Sequence, residues 1–146
     1  MKKLLCVLLL LALTLSLCAC GKTPTTPENF VSVMEGAGYT VEEMTDGPEG
    51  SVGYGASNAD QSFVLYFYDM GQNRYAVSAY NYDLNKYETM GGSSTKISAG
   101  NYGCITKTVD GMFYMSAFID DTYLYGTCFA DDAATMKDLF KTLGYK

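Results

Sequence analysis

Whatever chemistry this chain performs is performed without histidine, because none of its 146 residues is one. That removes the commonest general base, the usual serine and cysteine triads, and most zinc and copper sites. Carboxylates, cysteines and tyrosines remain. Glu42-Glu43 could work as an acid and base pair, but neighbours on a strand point to opposite faces and cannot flank one bond. Asp120-Asp121 and Asp131-Asp132 could attract a hard cation, yet no EF-hand spacing surrounds them, and a hairpin turn and a helix cap account for both. Ser51, Ser57 and Ser62 lie outside any G-x-S-x-G elbow. The stretch Gly50 to Gly55 lacks the Lys-Ser/Thr of a phosphate loop and opens no helix. The reading assigns no catalytic residue, no metal and no cofactor, and an enzyme working through Asp and Glu alone on wall polymers is its distant alternative.

The cysteines carry a stronger signal. Lys2 and Lys3 precede an apolar run, Leu4 to Leu17, which is too short for a membrane span and ends in small residues. The segment Leu17-Cys18-Ala19-Cys20 resembles the bacterial lipoprotein signal. That resemblance implies cleavage between Ala19 and Cys20, with thioether-linked diacylglycerol on Cys20. At about 0.8 kcal/mol per buried methylene, one acyl chain anchors marginally and two hold a domain on a bilayer. The expectation is a protein lipid-anchored on the extracytoplasmic face of the cell membrane, partnered by the membrane through that anchor.

Residues 1–19 then read as signal peptide and residues 20–27 as lipidated cysteine and tether, since Gly21-Lys22-Thr23-Pro24-Thr25-Thr26-Pro27 is small and stiff. Residues 28–146 are long enough for one α+β domain with a single core. The full chain carries 10 basic and 16 acidic residues. Losing Lys2 and Lys3 brings the net charge to about −8, which repels phosphate backbones and argues against nucleic acid.

Thr26-Pro27-Glu28 starts a helix whose Phe30, Val33, Met34 and Ala37 repeat at helical spacing, and Gly38 stops it. Strands follow at 40–44, 52–56 and 62–68, the last apolar on both faces as a central strand would be. A turn cluster, Asp46-Gly47-Pro48-Glu49-Gly50, separates the first two. A second helix spans Asp69 to Met90, with Ala76, Tyr80, Leu84 and Tyr87 as its buried stripe. Gly91 to Ser94 reads as a loop. Then come Thr95–Ala99, Tyr102–Val109, Met112–Ile119 and Thr122–Ala130, joined by the two-residue turns Asp110-Gly111 and Asp120-Asp121. Asp131 or Asp132 caps a last helix through Met136, Leu139, Phe140 and Leu143. The order αβββαββββα predicts an α+β fold: a mainly antiparallel sheet of six to seven strands, three helices, and the helices on one face.

That layout is similar to small lipoproteins of clostridial-type Gram-positive bacteria, a group without an assigned activity. The pieces that carry the likeness are Ala37 to Val41, Gly92 to Ser94, Gly100-Asn101-Tyr102, Asp110-Gly111, Asp120-Asp121 and Leu143-Gly144-Tyr145. Each is a turn or a helix end, so the resemblance implies fold and location alone. Cys104 departs from the polar residues of that group.

The two tight turns also fix a register. Val109 faces Met112 and Ile119 faces Thr122, so Phe113, Met115, Ala117, Ile119, Leu124, Gly126 and Cys128 share one face, the expected core side. In that register Cys104 opposes Ala117 and Cys128 opposes Phe113, too far apart for a disulfide. The other face collects Tyr114, Phe118, Tyr123 and Tyr125. Left open, it is an aromatic platform for a protein, peptide or glycan, or a homodimer surface. Alternatively, the second helix or a loop covers it. The leading functional expectation is a non-catalytic binding module on a lipid anchor. Its first alternative is a structural or envelope-stress lipoprotein without a ligand.

Overall fold

The computed structural model describes residues 21–45, 47 and 50–145. The expected signal peptide, with Ala19 and Cys20, lies outside the described residues, as do Asp46, Pro48 and Glu49 of the first turn cluster.

Helix α1 (Pro27–Gly36) begins as its sequence dictates: the Asn29 amide N–H donates to Thr26 Oγ1 at 3.2 Å, and Pro27 occupies the first turn. Phe30 and Met34, one turn apart, are fully buried. Gly38 ends the run at φ +88°, where a side chain would be strained. Gly36 is different: its φ is not left-handed and nothing lies within 4 Å of a methyl group added there. Gly36→Ala should therefore raise stability by about 0.5 kcal/mol through lost unfolded-state entropy, measured as the shift of the urea midpoint.

Strands β1 (Thr40–Met44), β2 (Val52–Ser57) and β3 (Val64–Asp69) lead to helix α2 (Asn73–Thr89). After it run β4 (Ser93–Ala99), β5 (Tyr102–Val109), β6 (Met112–Ile119) and β7 (Thr122–Phe129), then a 3₁₀ turn (Ala130–Asp132) and helix α3 (Ala133–Thr142). The seven strands form one antiparallel sheet in the order β1-β2-β3-β7-β6-β5-β4. The α+β class, the element order and the central place of 62–68 agree with the sequence. So does the register, with Cys104 opposite Ala117 and Cys128 opposite Phe113. Asp110 and Gly111 both take positive φ, 50° and 77°, as a tight hairpin turn of this hand requires.

Three local expectations change. Asp69 ends β3 instead of starting α2, because it pairs with Thr122 across the sheet. Ser93 and Ser94 belong to β4, paired with Thr108 and Lys107, instead of forming a loop. Asp132 sits at the start of α3 without a capping hydrogen bond from its side chain, since the 3₁₀ turn makes the entry.

A larger correction concerns the layers. The helices do not share one face. α1 and α3 cover the face of Phe113, Met115, Ala117, Ile119, Leu124 and Cys128, with Phe67 stacked on Phe30 at 5.4 Å between ring centroids. α2 lies on the opposite face, its Ala76, Tyr80 and Tyr87 packed on Ile105, Phe118 and Tyr123. The reason is compositional: both faces of β6 and β7 carry large side chains, so both need cover.

The expected tether is also docked. From Lys22 onward it lies on the body of the domain: Lys22 N–H donates to Asn101 Oδ1 at 3.0 Å, and Asn101 Nδ2 donates back to the Lys22 carbonyl at 2.9 Å. Lys22 Nζ rests 4.3 Å from the centre of the Tyr102 ring, and Thr25 is buried.

Candidate functional site

The four residues expected as a binding patch lie beneath α2. Phe118 and Tyr123 are buried; Tyr114 and Tyr125 are half-buried beside them. Tyr80 packs on Phe118 with ring centroids 5.1 Å apart, and Tyr87 on Tyr114 at 5.8 Å. Of the two readings of this face the structure has the covered one: the second helix lies over these four residues, and the open aromatic platform is corrected to a helix–sheet layer.

That layer contains a residue the sequence reading passed over. Asp83 is buried on α2, and the Tyr123 hydroxyl donates a hydrogen bond to its Oδ2. Burial holds the Asp83 carboxyl above its usual range, with the Tyr123 hydrogen bond and the Lys86 charge opposing that rise. The hydroxyls of Ser116, Tyr80 and Tyr87 and Thr127 Oγ1 are buried without a hydrogen-bond partner among the described residues. Burial pushes the Tyr80 and Tyr125 phenols up to about 12, and those of Tyr87 and Tyr123 higher still. These phenols hold their protons at neutral pH and offer hydrogen-bond donors. The signal for Asp83 was its place: positions 76, 80, 83 and 87 form a single stripe at helical spacing.

A pH effect follows. Asp83 has a folded pKa above its unfolded one, so its neutral form favours folding, and stability is lost as pH rises through the folded value. Asp83→Asn keeps an acceptor for Tyr123 and carries no charge. Its expected effect is a gain in stability at neutral pH and a flatter stability profile between mildly acidic and neutral pH, read from urea melts across that window.

The cysteines of the described chain are both free and buried. Burial raises both thiols, Cys128 to about 11, which leaves them poor nucleophiles at neutral pH. Among the described residues no group of three or more Cys, Asp or Glu side chains is placed to hold a metal ion.

α2 covers β5, β6 and β7 and leaves the same face of β1 to β3 open. Here Tyr66 and Tyr68 extend the tyrosine row of β7: Tyr66 stacks on Tyr125 with centroids 6.2 Å apart, and Tyr68 leans on Tyr123 at 6.4 Å. Their rings lie across two glycines of β2. A methyl group added at Gly53 would fall 2.7 Å from the Tyr68 ring, and one at Gly55 would fall 3.1 Å from the Tyr66 ring. These glycines are needed for that close approach.

Past Tyr66 the surface dips into a groove of about 220 Å³ lined by Glu42, Met44, Gly55, Ser57, Gln61 and Val64. It combines an aromatic wall, a thioether, a glycine floor and three polar side chains. Sequence reading placed Tyr66 in a buried strand and had no means of knowing which half of the face α2 would leave bare. A second hollow, about 210 Å³, lies on the other face beside β4, among Ile97, Tyr102, Met115 and Tyr145. It is mostly apolar and has Lys137 at its edge.

No family model and no curated protein matches the chain. Among solved structures, a protein described as a GTP binding regulator from Thermotoga maritima superposes with a TM-score of 0.53 at 12% identity, over 82% of this chain and 87% of that one. A Pyrococcus horikoshii protein aligns over 86% and 89% of the two chains at 12% identity, with a TM-score of 0.23. The Thermotoga protein thus shares the fold of this chain, and the likeness extends no further than the fold.

Proposed function

We propose that this protein is a lipid-anchored, extracytoplasmic binding module that takes a glycan in the groove beside Tyr66. The observation that carries the reading is the groove itself: a half-exposed tyrosine on a glycine floor, rimmed by Glu42, Ser57 and Gln61. A sugar ring presents an apolar C–H face and a rim of hydroxyls. The Tyr66 ring suits the first, and a carboxylate, an amide and a hydroxyl suit the second. The groove is shallow and holds one carboxylate among the described residues, which supports binding over bond cleavage between paired acids. The lipid anchor rests on the Leu17-Cys18-Ala19-Cys20 segment and would set the module beside wall polymers.

The Thermotoga neighbour's description suggests no GTP site here. Gly53 and Gly55 lie inside a strand under tyrosine rings, away from any helix start that could cradle phosphates.

The test is co-sedimentation of residues 21–146 with purified peptidoglycan. The wild-type domain should pellet with it, and Tyr66→Ala should weaken binding about tenfold, the loss of one good aromatic contact. Absence of binding, or a Tyr66→Ala curve that overlays the wild type, would reject the glycan reading.

A further inference from the structure

We infer that the end of the sheet carrying Lys22, Asn101 and the Asp120-Asp121 turn faces the bilayer at close range, so that the Tyr66 groove, on the sheet face and toward the opposite end, is held off the membrane. This rests on the reading that Cys20 bears the lipid. Were residues 20–27 a free tether, they could span about 25 Å at full extension. The docked segment does not allow that reach. Lys22 is held by two hydrogen bonds to Asn101 and by its contact with Tyr102, and the Thr23 carbonyl lies against Gly144. Thr25 is buried and accepts a hydrogen bond from Asn29 Nδ2 at 2.7 Å. Gly21 alone separates this clamp from position 20. At 3.8 Å per residue, a lipid-bearing residue 20 stands no more than about 8 Å from Lys22.

Asn101 ties the clamp to the rest of that end. Its Nδ2 also donates to Asp120 Oδ2 at 2.9 Å, the Asp120 N–H donates to the Asn101 carbonyl, and Asn73 Nδ2 donates to the Asp120 carbonyl. The turns at 99–102 and 119–122 and the start of α2 therefore move as a unit with Lys22.

The groove runs from Met44 and the mid-strand pair of Gly55 and Tyr66 toward the other end, where Ser57 and Val64 line it. Asp69 pairs with Thr122 at the clamp end, while Val64, on the groove, pairs with Thr127. Those five residue steps amount to about 17 Å along the strands. The clamp end is acidic, with Asp69, Asp120 and Asp121, so an anionic bilayer does not attract it and the anchor alone would keep it there.

The experiment uses the full chain, recovered from cell membranes and reconstituted in phosphatidylcholine vesicles with a headgroup-quenching lipid. A fluorophore is placed on Gln72→Cys at the clamp end or on Ala59→Cys at the groove end; both positions are exposed, while Cys104 and Cys128 are buried. Flotation of the vesicles is read first. The Gln72→Cys probe should be quenched several-fold more than the Ala59→Cys probe, and Lys22→Ala/Asn101→Ala should at least halve that difference. Equal quenching of the two probes on floated protein, or stronger quenching at Ala59→Cys, overturns the orientation and leaves the anchor standing. Wild-type protein that does not float overturns the anchor, and the orientation with it.

Discussion

Cys20→Ser should move the protein almost wholly from the membrane to the soluble fraction. The expectation is large because an anchor of the proposed kind is all or none: two acyl chains of ordinary length hold a domain on a bilayer effectively permanently, and without them little is left. No helix among the described residues is long and apolar enough to cross a membrane. The net charge, −6 for the full chain and about −8 without Lys2 and Lys3, opposes adsorption to anionic headgroups. Fractionation of cells with quantitative blotting measures the split. Persistence of the variant in the membrane fraction would mean that something other than the thiol of residue 20 holds it there.

Gly103→Val should destabilise the fold by about 2–3 kcal/mol, the largest stability change foreseen here. Gly103 is buried on β5 under α2. A methyl group at that position would fall 2.5 Å from the Phe118 ring and 3.2 Å from the Tyr80 ring. Neither is the loose end of a flexible chain; both are rings pinned between helix and sheet, in contact with each other at 5.1 Å. Valine has to lift α2 or turn Phe118 out of its packing, and either exposes part of the aromatic layer. Urea denaturation gives the magnitude. Wild-type stability in Gly103→Val would show that α2 does not press on β5, which would reopen the aromatic face as a binding surface.

These two variants also mark where sequence was informative. The strands from β5 to β7 could be paired residue by residue, since two-residue turns at Asp110-Gly111 and Asp120-Asp121 leave one register that keeps the aliphatic set together. The helix termini at Pro27 and Gly38 were equally legible, because capping and left-handed φ are local demands. The side on which α2 packs was legible only as one of two readings, against the expectation of all helices on one face. Its stripe is half aromatic and contains Asp83, and a carboxylate looks like solvent-facing polarity until the partner hydroxyl of Tyr123, 40 residues away, is in view. The docked segment was hidden for the same reason: Lys22 and Asn101 lie 79 residues apart, and nothing local announces their hydrogen bonds. The groove depends on three strands at once, with the glycines on β2, the tyrosine on β3 and Glu42 on β1. Alternation within one strand shows which residues share a face. It does not show which part of that face a distant helix leaves bare.

Glycan binding rests on Tyr66 and its groove, and the most direct measurement is an amide-resolved NMR titration of residues 21–146 with soluble peptidoglycan fragments. The result foreseen is a saturable set of shifts centred on Glu42, Gly55, Gln61 and Tyr66, with the amides of Thr95 and Ile97 beside the second hollow unmoved. Shifts that gather around Ile97 and Tyr145 instead, or none at millimolar fragment, would contradict it.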